Sequence, residues 1–348
     1  MEEAPSSTPS CRHEPAPTPL ARTPGESPSV TRLPDPATAL PLRVFWQYVA
    51  SVAIVHGLTL LAVTPWCFSW SGLVACALGV YVFGTLGINL GYHRLLTHRS
   101  FRVPKWLERG LAILGVCCLQ DTPARWVAIH RMHHQRSDQR DDPHSPLVSF
   151  FWGHVEWFLV KNRDDDGIIH CERYARDLLH DPLYFWLERN LRWLWLYVIH
   201  AALFYLVGMA VGWYMGDLRV GFQFGVSFVV WGVLLRTVLV WHITWSVNSL
   251  SHLWGYRTYA TRDHSRNNWL VGLIANGEGW HNNHHWDPRS AAHGHRWWEF
   301  DLSFLTIRLL ETLGLAHHVI RPNRSCGSTS VDGDLVADPD NEAAQGLA

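Results

Sequence analysis

The chain has 348 residues, 48% of them hydrophobic, with 20 Trp and 22 His. A formal net charge of -1 offers no electrostatic footing for a nucleic-acid partner. The seven cysteines (Cys11, Cys67, Cys76, Cys117, Cys118, Cys171 and Cys326) include no Cys-x-x-Cys pair, so they read as reduced thiols, neither a disulfide frame nor a zinc site.

Residues 1–41 carry ten prolines among Ser and Thr and show no apolar periodicity. Such a stretch buries too little surface to offset its ordering entropy and is expected to be a disordered tail. It lacks the basic-then-apolar layout of a signal peptide, which argues against secretion.

Four apolar runs follow: Val44 to Trp66, Trp70 to Gly91, Trp193 to Gly216 and Val220 to Val247. Each has the roughly 20 residues a helix needs to cross a bilayer. Short links join the first to the second and the third to the fourth, so the pattern predicts an all-α membrane protein of four transmembrane helices in two hairpins. Arg236 lies inside the fourth run and is expected to face the protein interior or a polar cavity, because a lipid-facing charge is costly. Two shorter apolar stretches, Leu107 to Leu119 and Val148 to Val160, are expected as interfacial or re-entrant helices.

The polar segments 92–192 and 248–320 are expected to form a helical cap, and 321–348 a polar, acidic tail. Arg94, Arg99, Arg102, Lys105, Arg109, Arg125, Arg131 and Arg136 lie between the hairpins, against Arg219 alone in the hairpin turns. The positive-inside rule therefore predicts a cytosolic cap, with both termini on the cytoplasmic side.

Four clusters on that side carry the chemistry. They are His93 with His98, His130 with His133 and His134, Asn248 with His252, and His281 with His284 and His285. Residues three or four apart share a helix face, so three of the four clusters present ligands to one side. His93 and His98, five apart, lie about 140° apart on an α-helix and need the helix end to bend. Nine imidazoles and one amide exceed the needs of one ion and suit two. Imidazole accepts iron, copper, nickel and zinc alike, but redox-active metal beside a dry cavity suits O2 activation at a hydrocarbon, which favours two irons. Asp138, Asp142, Asp263 and Glu278 are candidates to orient the imidazoles through their free N–H groups.

The strings His93-Arg94-Leu95-Leu96-Thr97-His98, His130-Arg131-Met132-His133-His134 and His281-Asn282-Asn283-His284-His285 resemble the three histidine boxes of membrane fatty acyl desaturases of the stearoyl-CoA Δ9 type. Asn248 to His252 is similar to their additional Asn/His pair, and Trp126-Val127, Asp142-Pro143-His144, Asp263 to Asn268 and Gly277-Glu278-Gly279-Trp280 extend the match over residues 44–320.

The resemblance implies a di-iron oxidoreductase that uses O2 and two external electrons to place a cis double bond, at carbon 9, in a saturated acyl chain. It implies His93, His98, His130, His133, His134, His252, His281, His284 and His285 as metal ligands, with Asn248 reaching its metal through water, and zinc able to replace iron in overproduced protein. Where animal members carry a basic and an acidic residue before the second box, this chain has Ala128 and Ile129, which leaves the carrier open between acyl-CoA and acyl-lipid. No cytochrome b5 domain is fused here, so electrons are expected from a separate protein of ferredoxin, rubredoxin or cytochrome b5 type. The competing readings are a di-iron lipid hydroxylase or ketolase and, from another class, a membrane metal-binding or transport protein.

Among the remaining histidines, His56, His200 and His242 are expected in helix-helix hydrogen bonds. His144, His154, His170 and His180 are expected at the surface or behind the ligands, with His144 the candidate exception among them. His293, His295, His317 and His318 are expected to have no role.

Overall fold

The computed structural model describes residues 32–163 and 167–322. Residues 1–31, Asp164-Asp165-Asp166 and 323–348 lie outside them, and so do most of the expected N-terminal tail, the acidic run and nearly all of the acidic tail.

Four helices are long and apolar enough to cross a membrane: Trp46–Val63, Trp70–Thr97, Arg192–Met215 and Leu218–Leu253. Among the described residues the only β-pairing consists of isolated bridges, so they form a mostly helical fold without strands, as expected. Local chemistry starts the helices. Ser69 Oγ accepts from Gly72 N at the head of the second span, and Asp217 Oδ1 accepts from Val220 N at 2.9 Å at the head of the fourth.

The second hairpin closes through two Gly-x-x-x-Gly faces, Gly208 with Gly212 and Gly221 with Gly225. A Cβ at Gly208 would stand 2.6 Å from Phe224 O, and one at Gly221 would stand 2.9 Å from Met209 O. The helices approach this closely because neither carries a side chain at those crossings.

The second and fourth spans run six residues past their expected ends, to Thr97 and Leu253. Hydropathy measures a lipid environment, but these two helices are clad by protein: 44% and 61% of their most apolar windows are buried, against 6% and 17% for the first and third. Polar residues can therefore continue each helix into the cap. His93 and His252 stand on those extensions.

Residues 32–41, expected in the disordered tail, are ordered against the cap. Arg32 Nε donates to Val148 O at 2.8 Å, Leu33 N to Leu147 O at 3.0 Å, and Ala39 is buried with Val148 and Trp152. The apolar Leu33 and Ala39 are enough to pin a proline-rich segment whose unfolded entropy is already low.

Both short apolar stretches are helical, over Lys105–Val116 and 152–159. The first lies against the second span, where a Cβ on Gly87 would come within 2.5 Å of Gly115 N. Arg236 is fully buried, as expected for an intramembrane cation, and it holds the C-terminal end of that helix. Its Nη1 donates to Cys117 O at 2.8 Å, its Nη2 is 3.1 Å from His200 Nε2, and its guanidinium lies 4.3 Å from the centre of the Phe83 ring. No carboxylate is among these contacts. Arg236→Met should therefore lower stability by about 1–3 kcal/mol, the usual cost of a buried carbonyl left without a donor. Thermal unfolding in detergent measures this, and an unchanged melting temperature would refute the tether.

His56 Nε2 and His242 Nε2 meet at 3.2 Å between the first and fourth spans, the expected helix-helix contact. His242 Nδ1 continues to His154 Nε2 at 3.0 Å, joining the cap to the same pair.

Candidate metal centre

Four elements carry the histidines to one place. The second span winds as a π-helix from Val80 to Thr97, and His98 N donates to His93 O at 3.2 Å. Bonds between residues five apart set such residues one above the other. The π winding, rather than a bend, is what turns His93 and His98 to one side. Thr122 Oγ1 caps the helix Pro123–Arg136, which presents His130, His133 and His134. The fourth span presents His252, and the one-and-a-half-turn helix His281–Trp286 presents the last three.

That short helix is held by asparagines. Asn282 Oδ1 accepts from Thr258 N and Tyr259 N, both at 2.8 Å, and Asn283 Nδ2 donates to Glu299 Oε2 at 2.8 Å. Asn267 Oδ1 accepts from the backbone N–H groups of both Asn282 and Asn283. These are the free N–H groups of a helix start, satisfied by a side chain 15 and 16 residues away in sequence.

The nine histidines fall into two groups. His93, His98, His130, His134 and His284 form one, and His133, His252, His281 and His285 the other, with the ligand atoms of each group within 4.8 Å of one another. On the second and third boxes the i, i+4 pair enters one group and the remaining histidine the other, so His281 shares its group with His285 rather than with His284. Asn248 lies one helical turn before His252 and lines the adjoining cavity.

Carboxylates set the tautomers. His93 Nδ1 meets Glu278 Oε2 at 2.6 Å, His133 Nδ1 meets Asp142 Oδ1 at 2.9 Å, His252 Nδ1 meets Asp138 Oδ2 at 2.8 Å, and His285 Nδ1 meets Asp263 Oδ2 at 2.6 Å. All four acids suggested by the sequence are in use. Each ring that donates from Nδ1 turns a lone pair on Nε2 toward its group.

Those lone pairs converge. In the first group His93 Nε2 is 3.1 Å from His284 Nε2, which is 3.0 Å from His134 Nε2, itself 3.1 Å from His130 Nε2. In the second, His281 Nε2 is 3.1 Å from His252 Nε2 and 3.0 Å from His285 Nε2. One proton on His281 Nε2 satisfies only one of its two lone-pair neighbours. Two nitrogens bound at right angles to one cation, about 2.1 Å from it, stand about 3 Å apart. His98 Nε2 and His133 Nε2 are buried without a hydrogen-bond partner among the described residues, as ligand atoms would be. The donor set therefore fits a metal in each group.

The electrostatics agree. Burial, then the neighbouring imidazoles, push His98, His130, His134, His281 and His284 well below the ordinary histidine range, and burial does the same to His133. Neutral rings are the ones that bind metal. Burial pushes the carboxylates up, but it is outweighed at Asp263 by His285 and at Glu278 by Arg94 with His293 and His93, so both stay well below the usual carboxylate range. Asp142 instead rises to about 6, burial being its first cause.

Arg94, counted in the sequence as a marker of orientation, is part of this site. Fully buried, it donates from Nη2 to Glu278 Oε1 at 2.8 Å and from Nη1 to Asp301 Oδ2 at 3.0 Å and Ala291 O at 2.7 Å. His293, given no role by spacing, is 1% exposed, with its Nδ1 3.2 Å from Glu278 Oε2. Its neighbours Ser290, Ala291 and Ala292 are all buried. That run of small residues was the available signal of a packed turn rather than a solvated loop. The His295 ring, by contrast, has its Nδ1 3.0 Å from Tyr259 OH, away from the imidazole groups.

Beside the histidines lies a cavity of about 630 Å³. Trp157, Phe158, Trp241 and Trp245 wall it, His130, His144 and Asn248 face it, and the exposed cations Arg43, Lys161 and Arg163 line it as well. A volume of this order accommodates a ligand of a few hundred daltons.

The family profile described as fatty acid desaturase matches residues 68–308. The sn-2 palmitoyl-lipid 9-desaturase of Nostoc sp. (strain 36) is 44% identical, over 79% of this chain and 90% of that protein. The chain belongs to the fatty acid desaturase family. It is thus an oxidoreductase of lipid metabolism. The sn-1 stearoyl-lipid 9-desaturase of Anabaena variabilis is 40% identical, over 81% of this chain and 96% of that protein, and the acyl-CoA C20 Delta5-desaturase of Anemone leveillei is 40% identical over 79% and 82%. A membrane desaturase with a histidine-rich metal site accounts for the four spans, the two nitrogen clusters and the cavity together, and the transport reading is left without a path of ligands through the spans.

Proposed function

We propose that this desaturase introduces a cis double bond at carbon 9 of a saturated palmitoyl or stearoyl chain carried on a membrane lipid, consuming O2, two electrons and two protons and releasing two waters. The observation that carries the reading is the pair of convergent imidazole groups beside an aromatic-walled cavity that His130 and Asn248 line. The relatives named for lipid-linked acyl chains favour a lipid carrier over CoA, as does the Ala128-Ile129 pair before the second box.

His93, His98, His130, His134 and His284 would hold one iron, and His133, His252, His281 and His285 the other, with Asn248 near the second. The two irons supply what no side chain can, oxidation of an unactivated C–H bond by O2. The protein's own part is placement. The Trp and Phe walls exclude water and hold a flexible hydrocarbon against the imidazoles, so proximity selects which carbons react. Electrons come from a separate donor protein, and the basic excess of the cap supports a cytoplasmic face for the site.

The test is to express the full chain, with a competent donor, in a host short of unsaturated fatty acids and to analyse fatty methyl esters. A new 9-unsaturated product that disappears in His284→Ala is expected. Folded, iron-loaded protein that yields no double bond would sink the reading.

A further inference from the structure

Each imidazole group is accompanied by one more buried histidine that does not join the convergence. His293 lies 4.3 Å from His284, ring centre to ring centre, at 33°. His144 lies 4.2 Å from His133 at 32°. The two contacts have nearly one geometry, although their sequence settings have nothing in common. Each partner also touches the carboxylate that orients a ligand of its group. His293 Nδ1 is 3.2 Å from Glu278 Oε2, which also takes His93 Nδ1, and the backbone N–H of His144 donates at 3.2 Å to Asp142 Oδ1, which takes His133 Nδ1.

Both are fixed in place. His293 N donates to Asp301 Oδ2 at 2.8 Å and its carbonyl accepts from Asn283 Nδ2 at 2.9 Å, which ties it to the helix that carries His284. The His144 ring also meets the Trp157 ring edge to face, 5.4 Å between centres. They are 1% and 3% exposed, and both ring nitrogens of His293 and Nδ1 of His144 have no hydrogen-bond partner among the described residues, the approach of His293 Nδ1 to Glu278 being a charge-range contact only. A buried nitrogen without a partner costs stability that Phe or Leu would not. Packing alone therefore gives no reason for histidine at either place.

We propose that His293 and His144 are matched positioning residues, one for each metal position, each bracing a liganding imidazole by ring contact and reinforcing the carboxylate beside it without binding the metal. This rests on the two-metal reading above. Supporting groups of this kind typically change metal affinity by about 10–100-fold.

The test uses the full-length protein in detergent, stripped of metal and titrated with Co(II), whose visible absorption reports each position. His98→Ala and His252→Ala identify which of two binding events belongs to which group. His293→Phe should weaken by about 10–100-fold the event lost in His98→Ala and leave the other band unchanged, and His144→Phe should do the converse. Metal-free melting temperatures should stay level or rise, since the Phe ring removes a buried orphan nitrogen. His293→Gln, which keeps a donor toward Glu278, should recover part of the affinity.

Equal and unchanged binding in both Phe variants would overturn the proposal while leaving the two-metal reading intact. Metal-free destabilisation with both events weakened alike would overturn it in favour of simple core packing. Wild type that takes up no metal would overturn the reading beneath, and the proposal with it.

Discussion

Glu278→Ala is expected to cost about 3–5 kcal/mol of stability and to empty the first histidine group of metal. The carboxylate is 4% exposed and takes hydrogen bonds from two partners, the Arg94 guanidinium and His93 Nδ1, with His293 Nδ1 3.2 Å away. Removing it leaves a fully buried cation with Asp301 as its remaining carboxylate, and leaves the His93 ring without the acceptor that fixes its tautomer. Glu278→Gln keeps volume and one acceptor oxygen, so it should fold better than the alanine variant yet still lose metal. A double-mutant cycle with Arg94→Met separates the two effects. Because the groups touch, the double variant should lose less stability than the single variants combined. Thermal unfolding and metal content per chain provide the readouts, and full metal occupancy in Glu278→Ala would refute the assignment.

The same residues mark how far the sequence could be read. The spans and the three boxes are legible because hydropathy and i, i+4 spacing are local properties. Their ends are not. Thr97 and Leu253 continue their helices because protein replaces lipid around them, and hydropathy does not report which neighbour a residue will meet. The pairing of His281 with His285, and of His284 with His93, depends on how four elements pack, so spacing left His281 open between two partners. His93 and His98 were brought to one side by a π-helix that no periodicity argument at 3.6 residues per turn anticipates.

The orienting acids divide in the same way. Asp138, Asp142, Asp263 and Glu278 stood close to boxes or their flanking matches and could be named. Asp301 and Glu299, which hold Arg94 and Asn283, lie in a stretch of Trp and Phe with no histidine at ligand spacing. His293 was set aside for the same reason, and only its buried, small-residue surroundings distinguish it from the less fully buried His295. Residues 32–41 show the opposite error. Proline and serine content suggested disorder, and two apolar side chains with a surface to meet were sufficient to order them.

Mild acid should unfold the metal-free protein well above the pH at which Asp263 and Glu278 protonate. His98, His130, His133, His134, His281 and His284 are all held well below the ordinary histidine value of about 6.5, by burial first. As pH falls through 6.5 the unfolded chain takes up protons that the folded chain refuses, so stability drops as pH drops. Each such group removes up to about 1.4 kcal/mol per pH unit until its own folded value is reached. Three of them acting alone would remove about 4 kcal/mol per unit, a large share of the 5–15 kcal/mol a fold usually holds. The depressed carboxylates Asp263 and Glu278 work in the other window: their stabilisation is present above about 4 and is lost only below it. Melting temperature followed from pH 7.5 to 5 in detergent should therefore fall steeply below about 6.5. Bound metal should delay that fall, because a coordinated imidazole must release its ion before it can protonate. A flat profile down to pH 5.5 in the metal-free protein would show that the imidazole groups are solvated rather than buried, and would remove the physical basis for reading them as two preformed metal positions.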